Sequence, residues 1–220
     1  MDKRGKKIIY LSQCLLNQNL RFPGIAVESG ALIELIVSLI KKGIGLEPIP
    51  CLERLGWGGV KRKTFYKYLP MISRNIGSIK FSIIKLFLRI WIRKFKKLCK
   101  KEAKKVVDQM QDYHESGYSI IGIITTNDSP TCGSTKTIDL LKIISNINIS
   151  SIIDEFTNPT LERMKDLIPN LCENGTGLFT SELIKEIKKR KLYIKIVGFD
   201  IWNDLTEEIE KLLENLDLNL

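Results

Sequence analysis

A chain of 220 residues, 44% hydrophobic and 27% charged, is long enough to bury one sizeable core and too apolar to be disordered. No uncharged stretch approaches the ~18–20 apolar residues of a spanning helix, and the basic start, Met1 to Lys7, passes straight into Ile8-Ile9-Tyr10-Leu11 without the apolar region or cleavage site of a secretory signal. The expectation is a cytoplasmic protein without a transmembrane segment, in which five cysteines stay reduced and form no disulfide framework. The net charge of +10 is uneven. Residues 61–110 carry 16 Lys or Arg against Glu102 and Asp108, a net +14, while the remainder carries 19 basic and 23 acidic residues, a net −4.

In chain order, Lys7 to Gln13 reads as a buried strand, apolar and β-branched but too short for a helix. After the Pro23-Gly24 loop, helical spacing of apolar residues predicts a helix over 26–42, ending in lysines and stopped by Gly43. Gly45 to Pro50 is a second strand, so the first fifty residues form a βαβ unit with parallel strands. Ile120 to Thr126 is apolar on both faces, as a parallel strand covered on both sides requires. Helices follow at about 134–145, from Pro159 to Leu167 and over 181–191. Tyr193 to Phe199 is another strand, and Asp204 with Glu207 caps a last helix reaching about Leu216. The whole chain, 1–220, is thus expected to be one α/β domain: a Rossmann-like, doubly wound, mostly parallel sheet. A basic helical insertion at about 64–111, one long helix or a helical hairpin, interrupts the alternation.

Three of the five cysteines share a position. Cys14 follows the first strand, Cys51 the second, and Cys132 the Ile120–Thr126 strand. In open α/β sheets ligands bind beyond the carboxyl ends of the strands, so these thiols, 37 and then 81 residues apart, should converge on one edge. Cys51 sits among Pro50, Glu53 and the Gly58-Gly59 loop, and Cys132 within Asp128-Ser129-Pro130-Thr131-Cys132-Gly133. Three thiolates without a histidine suit a soft metal or an iron–sulfur cluster. A three-cysteine set leaves one iron of a four-iron cubane free of protein ligands. Zinc sites more often show C-x-x-C pairs, which the chain lacks. The competing reading is that each is a buried small hydrophobe.

The chain resembles the 2-thiouracil desulfidase (TudS-like) family at these residues. Cys14-Leu15-Leu16-Asn17-Gln18-Asn19-Leu20-Arg21-Phe22-Pro23-Gly24 is similar to the family's C-L-L-G-x-x-C-R-Y-D-G, with Leu20, Asn17 and Pro23 as departures. Pro50-Cys51-Leu52-Glu53 with Gly58-Gly59 is similar to C-P-E followed by G-G, and Ser129-Pro130-Thr131-Cys132-Gly133 to S-P-S-C-G. A weaker likeness joins Gly175-Thr176-Gly177-Leu178-Phe179-Thr180 to a late G-x-G-V-T-A stretch. The motifs occur in order between about residues 7 and 200. The family's arginine–proline–alanine–glutamate stretch after G-G is not reproduced, Arg62 standing as its remnant.

The resemblance implies a 4Fe-4S cluster held by Cys14, Cys51 and Cys132, with one iron not ligated by protein. It implies non-redox removal of sulfur from a small thiolated heterocycle such as thiouracil, with Glu53 and Ser129 assisting proton transfer. The alternative is an iron–sulfur module for RNA binding or electron transfer, in which the cluster is structural. Cys99, among lysines, reads as a packed thiol and Cys172 as structural. His114 reads as solvated, and Asp128 and Asp154 are given no role. The basic insertion reads first as a covering subdomain, then as RNA or nucleotide contact, then as a membrane-surface element. Nothing in the sequence marks an oligomeric state.

Overall fold

The computed structural model describes residues 2–76, 78–145 and 149–218. Its centre is a four-stranded, all-parallel sheet of β1 (Lys7–Ser12), β2 (Gly45–Ile49), β3 (Ser119–Thr126) and β6 (Ile196–Phe199), in the order β2-β1-β3-β6. Between β3 and β6 lies a small antiparallel pair, β4 (Lys136–Ile138) with β5 (Cys172–Asn174).

Strand alternation divides the core into two layers, because successive side chains point to opposite faces. Ile8, Tyr10 and Ile123 pack with Cys99, Ala103, Val107 and Met110 of α5 (Ile79–Glu115) and with Leu183 and Ile187 of α9 (Leu178–Lys189). Ile9, Leu11 and Ile124 pack on the other side with Leu35 and Leu39 of α2 (Ile33–Lys41) and with Ile209 and Leu212 of α10 (Leu205–Asn215). Both faces are covered, so the doubly wound, Rossmann-like architecture holds. The chain passes from β1 outward to β2 on one side and returns to β3 on the other. The cleft beyond β1 and β3 is therefore the point where the winding direction reverses.

Several elements differ from expectation. The helix expected over 26–42 starts only at Ile33: residues 18–32 are tied to the β1 end by Gln18, whose backbone N–H donates to the Gly30 carbonyl at 2.6 Å. The segment expected to be helical from 134 opens instead with β4. The Asn127 side-chain oxygen accepts from the Thr135 N–H at 3.3 Å and from its hydroxyl at 3.0 Å, drawing the chain out of helical geometry, and helix resumes only in α6 (Leu140–Ser145). Beyond it, α7 (Ile149–Thr157) was not expected. The helix expected to open at Pro159 is α8 (Leu161–Leu171), capped by Thr160. The last helix follows its signal: the Asp204 carboxylate accepts from the N–H groups of Thr206 at 3.0 Å and Glu207 at 3.1 Å.

The insertion consists of α4 (Lys63–Asn75), preceded by the short α3 (Leu52–Gly56), and the 37-residue α5. The second half of α5 presents Cys99, Ala103, Val106, Val107 and Met110 to the sheet and lysines to solvent, and so belongs to the core. The basic insertion is thus a helix pair whose far end is rooted in the central layer. Among the described residues no helix is long and apolar enough to cross a membrane.

Candidate active site

The three cysteines lie on three loops at the carboxyl ends of the sheet. Cys14 is in the one-turn α1 (Gln13–Leu16) that leaves β1, Cys51 follows β2 by two residues, and Cys132 follows β3 by six. Local bonds fix each loop. The Cys14 sulfur meets the Thr126 hydroxyl at 3.6 Å, directly across the reversal point between β1 and β3. The buried Gln18 side chain donates to the Cys14 carbonyl at 2.8 Å, and its oxygen accepts from the Val27 N–H at 3.2 Å. The Cys51 N–H donates to the Gln13 side chain at 3.2 Å, joining the first two loops.

The Cys132 loop is gripped from below by the first turn of α9. N–H groups of Gly177, Leu178, Phe179 and Thr180 donate to the carbonyls of Gly133, Pro130, Thr131 and Thr131, and the Thr180 hydroxyl donates to the Cys132 carbonyl at 2.8 Å. This contact explains the glycine at position 177. A Cβ on Gly177 would fall 2.4 Å from the Thr131 carbonyl oxygen, so only glycine lets the helix start approach this closely. The helix N-terminus beside Cys132 is therefore that of α9.

All three thiols line one cavity of about 630 Å3, together with Glu53, Ser129, Arg21, Arg62 and Asp128. Their charges are mutually felt. Burial raises the Cys132 thiol, and the charges of Cys14 and Cys51 raise it further. Burial pushes Cys51 up to about 12 and raises Cys14 as well. Donors surround Cys51: the Arg54 N–H at 3.4 Å and the Arg62 guanidinium at 3.7 Å. The Thr131 hydroxyl reaches the Cys132 sulfur at 3.6 Å. Cys99 is buried in the α5 seam, Cys172 begins β5, and neither lines the cavity. His114 is exposed near the end of α5, away from the cavity lining.

Glu53 and Ser129, from different loops, meet directly. The Ser129 hydroxyl donates to Glu53 Oε1 at 2.8 Å, with the Thr131 hydroxyl at 3.3 Å from the same oxygen. The Ser129 oxygen in turn accepts from the N–H groups of Thr131 at 3.1 Å and Cys132 at 3.0 Å, so its proton is directed toward the carboxylate. Burial raises Glu53, opposed by Arg62 and by the Ser129 hydrogen bond.

Two arginines hold this polar floor. Arg62, 0% exposed, donates to the Leu20 carbonyl at 2.7 Å and the Gly59 carbonyl at 2.9 Å and stands 3.8 Å from Glu53 Oε2. Its φ of +49° is left-handed, a conformation uncommon for an arginine and sustained here by those contacts. Arg21 pairs with Asp128 in a buried ion pair, and the Trp202 indole N–H also donates to Asp128 at 3.1 Å. The sequence pattern marked neither ion pair. The available signal was the placement of Arg21 inside the first motif, of Asp128 directly before the third, and of Arg62 shortly after Gly58-Gly59.

Among the described residues, no group of three or more His, Cys, Asp or Glu side chains closes round a point as ligands of a single metal ion do. A cubane imposes a different requirement, since each cysteine ligates a separate iron and the sulfurs stand apart. The donor set fits that group. It is three sulfurs with no imidazole, and burial disfavours their thiolates unless a cationic centre compensates. The cavity residues also retain unspent polar atoms: Ser12 Oγ, Trp57 Nε1 and Arg62 Nε are buried without a partner among the described residues.

Comparison with known proteins adds a similarity without an activity. No family model matches the chain, and no solved structure matches it. An uncharacterized protein of Methanocaldococcus jannaschii, designated MJ0003, is 26% identical over 217 residues, spanning 96% of this chain and 99% of that protein. The similarity therefore runs through the insertion as well as the sheet.

Proposed function

We propose that this protein is a 4Fe-4S-dependent desulfidase that removes sulfur from a thiolated heterocycle of the thiouracil kind without net redox change. The single observation that carries the reading is the meeting of Cys14, Cys51 and Cys132, from three separate strand ends, in one cavity that also holds the hydrogen-bonded pair Glu53–Ser129. Cys14, Cys51 and Cys132 would hold the cluster. When bound, it supplies a Lewis-acidic iron without a protein ligand, suited to a sulfur donor.

The reaction balances as hydrolysis. The thiocarbonyl carbon exchanges its sulfur for the oxygen of one water, and sulfide leaves with the two protons. Glu53 takes a proton from that water. Its buried setting makes it a stronger base than a solvated carboxylate, and Arg62 keeps the ionised form tolerable. Ser129 orients the carboxylate and relays a proton between it and the ring. Arg21 and Asp128 neutralise one another, so the floor presents directed polarity with no unpaired charge. Apolar walls, among them Phe22, Phe65 and Trp57, exclude bulk water from the reacting carbon.

The test is anaerobic incubation of iron-loaded protein with 2-thiouracil, following loss of the thiocarbonyl absorbance and appearance of free sulfide. Stoichiometric sulfide and uracil support the reading. Sulfide absent from protein that carries its full iron complement sinks it.

A further inference from the structure

The long helix α5 changes character near Trp91. From Phe95 onward its apolar residues face inward and its outward positions are mostly lysines. Before Trp91 it is apolar on both sides. Ile84 and Leu88 pack against α4 and α7, while Ile79, Ile83, Leu86, Phe87 and Ile90 point to solvent. Ile79 is 91% exposed and Phe87 65%, and the spacing of 79, 83, 86, 87 and 90 puts them on one continuous stripe. Tyr68 and Met71 of α4 add to the same exposed apolar surface. Such a stripe is costly in water and marks a contact face.

Charge selects the partner. Residues 63–101 hold 12 Lys or Arg and no Asp or Glu. Among the described residues, Lys96 alone of these meets a carboxylate, Glu182 at 4.0 Å. A second copy of the chain would bring an equal positive field against this one and is disfavoured. A nucleic acid would satisfy the charges, but phosphates and base edges gain nothing from Ile79, Ile83 and Leu86. An anionic lipid surface satisfies both features at once. Aliphatic side chains enter the headgroup–acyl boundary while lysines and arginines beside them meet lipid phosphates.

The cavity provides an independent observation. Tyr68, Met71, Phe87 and Ile90 line it and are also exposed, so it reaches the surface at this stripe. Apart from Thr64 and Lys94, the residues that α4 and α5 give to the lining are apolar or aromatic, and Arg21, Glu53, Arg62 and the three cysteines line the same cavity. We infer that the α4–α5 arm docks the protein onto an anionic membrane surface, with the mouth of the cavity held against the lipid. This does not depend on what chemistry the cysteines perform.

The test is co-sedimentation of the full chain with vesicles of phosphatidylcholine alone, and of phosphatidylcholine mixed with phosphatidylglycerol. Binding is expected only to the anionic vesicles, weakening as salt is raised. Phe87→Asp and Ile83→Asp each replace an exposed side chain, so far-UV circular dichroism should be unchanged while vesicle affinity falls at least about tenfold. Lys85→Glu with Arg89→Glu should lower it by at least about fivefold. Equal binding to neutral vesicles, no binding to either, or affinity unchanged in Phe87→Asp would overturn the inference. So would tighter binding to single-stranded RNA than to anionic vesicles. A dimer in solution that Phe87→Asp converts to monomer would overturn it too, by assigning the stripe to a second copy.

Discussion

The Ser129 hydroxyl and the Glu53 carboxylate, 76 residues apart in sequence, are joined by a 2.8 Å hydrogen bond at the floor of the cavity the three cysteines share. The bond has a direction, because two backbone N–H groups occupy the acceptor side of Ser129 and leave its proton for Glu53. In the proposed mechanism this carboxylate moves a proton, and its removal tests that role.

Glu53→Gln preserves size and can still accept from Ser129, so the fold and the iron content should be retained. Desulfuration should fall by about 10²–10⁴-fold, the usual contribution of a positioned acid or base. Ser129→Ala should cost less, since Thr131 also lies at 3.3 Å from the same Glu53 oxygen. Steady-state sulfide release at fixed iron content measures both. Turnover of Glu53→Gln close to that of the parent protein would remove Glu53 from the chemistry.

Arg62 ties the second loop to the first through the Gly59 and Leu20 carbonyls. Arg62→Leu deletes donors to Leu20, Gly59 and Cys51 and leaves Glu53 buried without its cation. Breaking a buried pair from one side typically costs about 3–5 kcal/mol, and urea unfolding should show a loss of that order. Arg62→Lys should recover only part, because an ammonium cannot span the two carbonyls and the sulfur together. A loss below about 1 kcal/mol in Arg62→Leu would contradict the role assigned to this arginine.

Gly177 tests the grip of α9 on the Cys132 loop. Alanine there would place its Cβ 2.4 Å from the Thr131 oxygen, forcing the loop or the helix to move. Overpacking of this kind typically costs about 1–3 kcal/mol, and iron retention should fall with it because Cys132 is displaced. Gly30→Ala is the control: its Cβ would meet nothing within 4 Å, so stability should change by less than about 0.5 kcal/mol. Equal behaviour of the two variants would show that the α9 contact does not position Cys132.

What was legible in the sequence follows from how locally each feature is encoded. The strands were readable because Ile8 to Leu11 and Ile120 to Thr126 are apolar on both faces, the signature of a sheet covered twice. The convergence of the cysteines followed from topology alone, because parallel strands put all their carboxyl ends on one edge. The β4–β5 pair was hidden because its geometry is set by the Asn127 side chain, a long-range constraint on a segment of neutral propensity. The start of α2 was misplaced for a similar reason: Gln18 and Gly30 hold the preceding chain as a loop. The two arginine–carboxylate pairs join residues 9 and 107 positions apart, and no periodicity reports on such contacts.

The proposed chemistry requires that Cys14, Cys51 and Cys132 form one ligand set. Iron and acid-labile sulfide analysis of protein purified without oxygen tests it most directly, on the parent chain and on five single Cys→Ser variants. Brown protein with about four iron and four sulfide per chain is expected. Both should be lost in Cys14→Ser, Cys51→Ser and Cys132→Ser and kept in Cys99→Ser and Cys172→Ser. A parent protein without iron under these conditions would rule out this ligand set, as would a cluster that survives Cys51→Ser and disappears in Cys172→Ser.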